Sequence, residues 1–249
     1  MSAQTVIDRA AIAQAEVFVK QHMANNDPSH DWCHVDRVRH LALHIARNER
    51  RNADVEIDLS LVELAALLHD VGDAKYQTDS RTHREVLMEF LNQNEVPSDV
   101  AGKVCYVVEN VSFRKELQAP SDGVPEAEKD DVAKALDLVL DIVRDADKLD
   151  AMGAIGIARC MAFSGARGRV LHDPTELPAK QLTKGEYDNA LKQNKGAAIN
   201  HFYEKLFTLK DRMRTETGKE MAQTRHEFMQ AYVAQFLSEW DEASGAAPP

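Results

Sequence analysis

Residues 142–158 read IVRDADKLDAMGAIGIA. At about 100° per residue, a helix through this stretch places Asp147 on one line with Leu136, Leu140 and Val143 before it, and with Ala151, Ala154 and Ala158 after it. Asp145 falls on roughly the opposite face among polar neighbours, and Asp150 lies near the edge of the inner stripe. A carboxylate among alanines and leucines is costly to bury unless a charge compensates it. The stretch therefore predicts a helix and an inward aspartate that calls for a cation.

Working outward, nearly every periodic segment repeats with the helical period, and none of any length alternates as a strand would. The pattern predicts helices over 5–24, about 31–47, about 58–70, from Thr82 to about Asn92, about 98–111, about 131–163, about 198–216 and about 219–240. Thr82 and Glu85 have the spacing of a capping box. Residues 114–130 are polar, with two prolines and a glycine, and read as a loop; 164–195 are punctuated by Gly and Pro. The expectation is an all-α chain folded as a single domain over 1–249, with a core of about 5–240 and a frayed tail at 243–249.

Composition narrows the function. Hydrophobic residues at 44% and charged residues at 29% are ordinary for a globular protein. A formal net charge of -11 argues against nucleic acid or an anionic membrane as the main partner. It does not exclude a small phosphorylated substrate, because a metal and a few basic side chains make a locally positive pocket. Cys33, Cys105 and Cys160 form no C-x-x-C pair, which speaks against a disulfide framework or a zinc ribbon. The N-terminal stretch lacks the apolar core of a secretory signal, and no run of 18 apolar residues occurs, so the expected location is the cytoplasm.

Two further inward polar positions join Asp147. His34 shares a stripe with Val38, Leu41 and Ile45, and His69 shares one with Leu61 and Ala65; Asp70 follows at a helix end. Two imidazoles and two carboxylates form a mixed N/O donor set suited to Mn²⁺, Mg²⁺, Fe²⁺, Ni²⁺ or Zn²⁺, with positions left for water and substrate. Such an ion polarises a phosphoryl oxygen and acidifies its bound water, so the set points to hydrolysis. No P-loop and no G-x-S-x-G element competes with that reading.

The ordered set His34, His69-Asp70 and Asp147 resembles the H…HD…D signature of the HD-domain metal-dependent phosphohydrolases. The blocks SHDWCHVDRVRHLA, ALLHDVGDAKY, VSFRKE, IVRDADKLDAMGAIGIAR and HFYEKLFTLKDRMRTETGK follow in order over residues 29–220 and are similar to the single-domain YedJ/YpgQ-like subfamily. The resemblance implies a single HD-domain helical bundle that hydrolyses phosphate esters or anhydrides, with nucleotides the favoured substrates. One type of relative is a manganese-dependent pyrophosphohydrolase that releases a monophosphate and pyrophosphate from nucleoside triphosphates. The alternatives are a nucleoside monophosphate phosphatase and a non-catalytic nucleotide-sensing module.

By the same resemblance, His34, His69, Asp70 and Asp147 are the metal ligands, with Mn²⁺ the first choice of ion. Asp73, three residues after the HD pair, takes the place of an acidic residue that orients or activates the attacking water; otherwise it is a turn residue. Arg37, Lys75 and Lys148 are candidate phosphate contacts by charge and proximity in sequence, and His83 a candidate substrate or supporting residue. His30-Asp31 match the family opening, with Asp31 also placed to cap a helix. Dinuclear HD phosphodiesterases need further histidines between the HD pair and the last aspartate. Only His83 lies in that interval, so one ion is expected. The C-terminal helices leave room for a homodimer.

Overall fold

The computed structural model describes residues 7–71, 82–116, 129–178 and 196–244. Among them there is no strand, and the all-α expectation holds. The helices are α1 (Arg9–His22), α2 (Trp32–Glu49), α3 (Leu59–Leu68), α4 (His83–Gln93), α5 (Ser98–Asn110), a single turn α6 (Phe113–Glu116), α7 (Asp131–Asp150), α8 (Gly153–Ala166), α9 (Ala198–Glu204) and α10 (Glu216–Ser244). Two 3₁₀ turns, Leu206–Thr208 and Lys210–Arg212, lie between α9 and α10. None of these helices is long and apolar enough to cross a membrane. The chain forms two compact units, Met1–Asp147 and Lys148–Pro249.

The first unit is built around α3. Its sequence, LSLVELAALL, is apolar on almost every side, as a helix surrounded by others must be. Leu61, Val62, Leu64, Ala65, Ala66, Leu67 and Leu68 are all buried, and α1, α2 and α5 pack against them. Glu63 is the one charged residue of α3, and Arg39 of α2 answers it: the guanidinium Nε donates to Glu63 at 2.8 Å while Nη1 reaches Glu16 of α1 at 3.1 Å. One cation thus ties three helices together. The starts of these helices follow their caps. Asp31 accepts from His34 N at 3.0 Å, Asp58 from Ser60 N at 2.9 Å, and Thr82 and Glu85 close the expected capping box.

In the second unit α8 packs against α9 and α10. Ile199 and Phe202 of α9 and Met229 of α10 are fully buried there. Buried charges are paired or hydrogen-bonded, as they must be. Asp150 meets Arg159 at 3.2 Å, Lys148 Nζ donates to the Arg212 carbonyl at 2.8 Å, and Arg225 donates to the Leu149 carbonyl.

Three expectations need correction. The predicted helix over 131–163 is two helices, α7 and α8. The chain tightens into a 3₁₀-type turn at Ala151 and Met152, whose amides donate to Lys148 and Leu149 at 3.0 and 3.1 Å. It then passes through Gly153 at φ +68°, a left-handed conformation that a side chain would strain. The helices expected over 198–216 and 219–240 are instead the short α9 with its two 3₁₀ turns and the longer α10. The polar stretch 114–130 begins inside α6 and ends in the first residues before α7, and its part 117–128 lies outside the described residues.

Gly156 supplies a test of the α7–α8 turn. A Cβ there would land on the Ala151 carbonyl, whereas one on Gly102 of α5 would meet nothing within 4 Å. Replacing glycine by alanine in an open helix stabilises by about 1 kcal/mol; overpacking costs about 1–3 kcal/mol. Gly156→Ala should therefore lower the urea midpoint and Gly102→Ala raise it; a shift of the same sign in both would contradict this turn.

Candidate active site

His34 is on the buried side of α2, only 1% exposed, with Val35 and Val38 beside it. His69 and Asp70 leave the C-terminal end of α3, where His69 is the cap residue at φ -58° and ψ -32°. Asp147 comes from the last turn of α7. Four donors from three helices meet. His34 Nε2 stands 3.3 Å from Asp70 Oδ2 and 3.7 Å from Asp147 Oδ1. His69 Nε2 stands 3.6 Å and 3.9 Å from the same two atoms. The two imidazole rings are edge to face with centroids 5.2 Å apart.

The protonation of His69 follows from its partners. Its Nδ1 lies 2.7 Å from the Ala66 carbonyl. A carbonyl only accepts, so Nδ1 carries the proton, and Nε2 is the nitrogen whose lone pair a cation can take. That Nε2 is buried and has no hydrogen-bond partner. A lone pair sealed from water and aimed at a second imidazole and two carboxylates is an arrangement that a cation satisfies.

The spacing fits as well. One donor atom each from His34, His69 and Asp147 lie within 4.8 Å of one another. Ligands held at ordinary divalent-metal distances sit about 3 Å apart across a right angle and about 3.5 Å across a tetrahedral one. The HD residues and Asp147 therefore form a His/Asp group able to hold a divalent metal.

Burial along α7 departs from the helical-face reading. Asp145 and Asp150 are the buried carboxylates, at 0% and 2% exposure, while the Asp147 side chain is 32% exposed. Asp147 is nonetheless the one whose oxygen joins His34 and His69. A carboxylate that lines a site open to ligand is wetter than one that serves packing, so low exposure was the wrong criterion. The break at Ala151 also removes Ala154 and Ala158 from its stripe.

The other candidates are placed unevenly. Arg37 is half-buried on α2, one turn beyond His34, and His83 is half-buried at the first position of α4. Lys148 is 5% exposed, and its ammonium serves the Arg212 carbonyl. Asp73 and Lys75 lie outside the described residues. One residue to which the sequence reading assigned no role stands close by. The His30 ring has its centroid 6.0 Å from that of His34. Its four-residue separation from His34 was the available signal, obscured because the helix starts between the two.

Comparison with known proteins follows the same lines. The HD domain family model matches residues 32–152, which include all four donors. YpgQ, an uncharacterized protein of Bacillus subtilis (strain 168), is 32% identical over 222 residues, covering 89% of this chain and 90% of YpgQ. The chain belongs to the HD-domain family, in its YpgQ-like branch. A Lactobacillus plantarum protein of known structure aligns over 95% of this chain and 100% of its own, with 32% identity and a TM-score of 0.76. An HD-superfamily hydrolase from Bacillus thuringiensis aligns over 92% and 96%, with 30% identity and a TM-score of 0.63. The crystal structure of B. subtilis YpgQ in complex with ADP aligns over 92% and 97%, with 30% identity and a TM-score of 0.64. As an HD-domain chain with its donors assembled, the protein is a metal-dependent phosphohydrolase.

The electrostatics make a check on the metal-free protein. Burial pushes the Asp70 carboxyl up, but the charges of His69 and His34, a hydrogen bond from His34, and the charge of His30 outweigh it and hold the group well below the usual carboxylate range. A depressed carboxylate contributes stability that is present above its unfolded pKa of about 3.9 and is lost as pH falls towards the folded value. In chelator-treated protein, the deficit of Asp70→Asn relative to the unaltered chain should be full near pH 5 and shrink below pH of about 3.9. A thermal-melt deficit that stays constant down to pH 2 would contradict the pairing.

Proposed function

We propose that His34, His69, Asp70 and Asp147 hold one divalent ion, Mn²⁺ by preference, and that the protein hydrolyses nucleoside triphosphates to a monophosphate and pyrophosphate. The observation that carries the reading is the buried Nε2 of His69, made a lone-pair donor by the Ala66 carbonyl and facing His34 and two carboxylates. The complex of the relative YpgQ with ADP supports a nucleotide as ligand.

A bound ion would supply Lewis acidity towards a phosphoryl oxygen and a water of lowered pKa. The chain's own residues do the rest. The Ala66 carbonyl keeps the His69 tautomer and ring in place, so that its donor atom is preorganised. The capped start of α2 fixes His34, whose backbone amide is held by Asp31 at 3.0 Å. Asp73 orients the attacking water or accepts its proton. Arg37 and Lys75 offset charge that develops on the phosphoryl oxygens. Lys148, engaged on a carbonyl, has the weaker claim to a phosphate.

Product analysis tests this. Metal-stripped protein is incubated with a nucleotide panel with and without Mn²⁺, and products are separated. The expected outcome is Mn²⁺-dependent release of pyrophosphate with a monophosphate, reduced by about 1,000-fold or more in His34→Ala and Asp147→Ala. Inorganic phosphate released from a monophosphate would replace this reading with that of a nucleotidase. Ion binding without turnover would replace it with that of a sensing module.

A further inference from the structure

We infer that His30 is a substrate-contacting residue of this centre, its ring oriented by a hydrogen-bond chain through Ser29 to Asp27. The inference rests on the phosphohydrolase reading above and extends it to a residue outside the ligand set. Ser29 is 1% exposed, and its hydroxyl donates to Asp27 Oδ1. The same carboxylate oxygen accepts from the Ser29 amide at 2.9 Å. A serine hydroxyl has one proton, and a carboxylate accepts only. With that proton committed to Asp27, the 2.7 Å contact between Ser29 Oγ and His30 Nδ1 requires Nδ1 to be the donor.

The backbone of His30 is held on both sides. Its amide donates to the Asp27 carbonyl at 3.0 Å, and its carbonyl accepts from Asn26 Nδ2 at 3.0 Å. The backbone of His30 is therefore held, and Nδ1 is the ring nitrogen that faces Ser29. The ring centroid is 6.0 Å from that of His34. With Nδ1 engaged on Ser29, any contact the ring makes with a phosphorylated ligand goes through Nε2. The start of α2 does not account for the Ser29 contact to the His30 ring, because Asp31 already supplies the cap.

The test compares His30→Ala, His30→Gln and His30→Asn. A glutamine amide reaches the Nε2 position of histidine, while an asparagine amide reaches only Nδ1 and so keeps the Ser29 contact. Three quantities are measured on each: Mn²⁺ affinity by calorimetry, affinity of the Mn²⁺-loaded protein for inorganic phosphate, and kcat and KM with the best nucleoside triphosphate. Expected for His30→Ala is an unchanged Mn²⁺ affinity, a loss of about tenfold in phosphate affinity and a fall of about 100-fold in kcat/KM. His30→Gln should recover more of both than His30→Asn.

Phosphate affinity and turnover within about twofold of the unaltered chain in His30→Ala would overturn the inference. So would loss of the ion in that variant, or better recovery by His30→Asn. Absence of nucleotide turnover in the unaltered chain would sink the function proposed above instead, and the Mn²⁺ and phosphate arms would still decide the role of His30.

Discussion

The hydrogen bond from His69 Nδ1 to the Ala66 carbonyl governs the centre. It closes the end of α3, sets the tautomer of the ring, and turns a buried nitrogen into a lone-pair donor. Everything packed around α3 holds that end in place. The helix is apolar on nearly all sides, so α1, α2 and α5 cover it, and its one interior charge is matched by Arg39 from α2. An isolated buried imidazole would be stable without a cation if its second nitrogen found a donor. Here it finds His34 and two carboxylates, which leaves a positive ion as the partner that satisfies all four groups.

Charge acts locally in this chain, and the net value of -11 says little about the centre. Two carboxylates make a negative spot, which a divalent ion would neutralise. A phosphorylated ligand would then meet a cation in place of bare carboxylates, on a protein that is acidic as a whole.

Much of this was legible in the sequence, for reasons that differ by residue. His34 could be placed because Val38 and Ile45 repeat at helical spacing after it and α2 is unbroken. The caps at Asp31, Asp58 and Thr82 are local, so spacing alone reveals them. Asp147 does stand near both histidines, although the helical-face argument that singled it out was partly wrong. Periodicity continues through AMGAIGIA, and so it conceals the left-handed Gly153 that ends one helix and starts another. It likewise conceals the full burial of Asp145 and Asp150, which depends on neighbours distant in sequence. His30 was noted as part of the family opening, but the hydrogen bonds from Asp27 through Ser29 to its ring were not legible, because they lie before the helix, where no period applies. Their meaning rests on which atom donates to which.

Calorimetry of Mn²⁺ binding to the metal-stripped chain and to His69→Ala decides the part played by the buried lone pair. One site per chain is expected in the unaltered protein, and its loss in His69→Ala, with both proteins folded by circular dichroism. Undiminished Mn²⁺ affinity in folded His69→Ala would contradict that expectation, since the buried lone pair would then have no part in holding the ion.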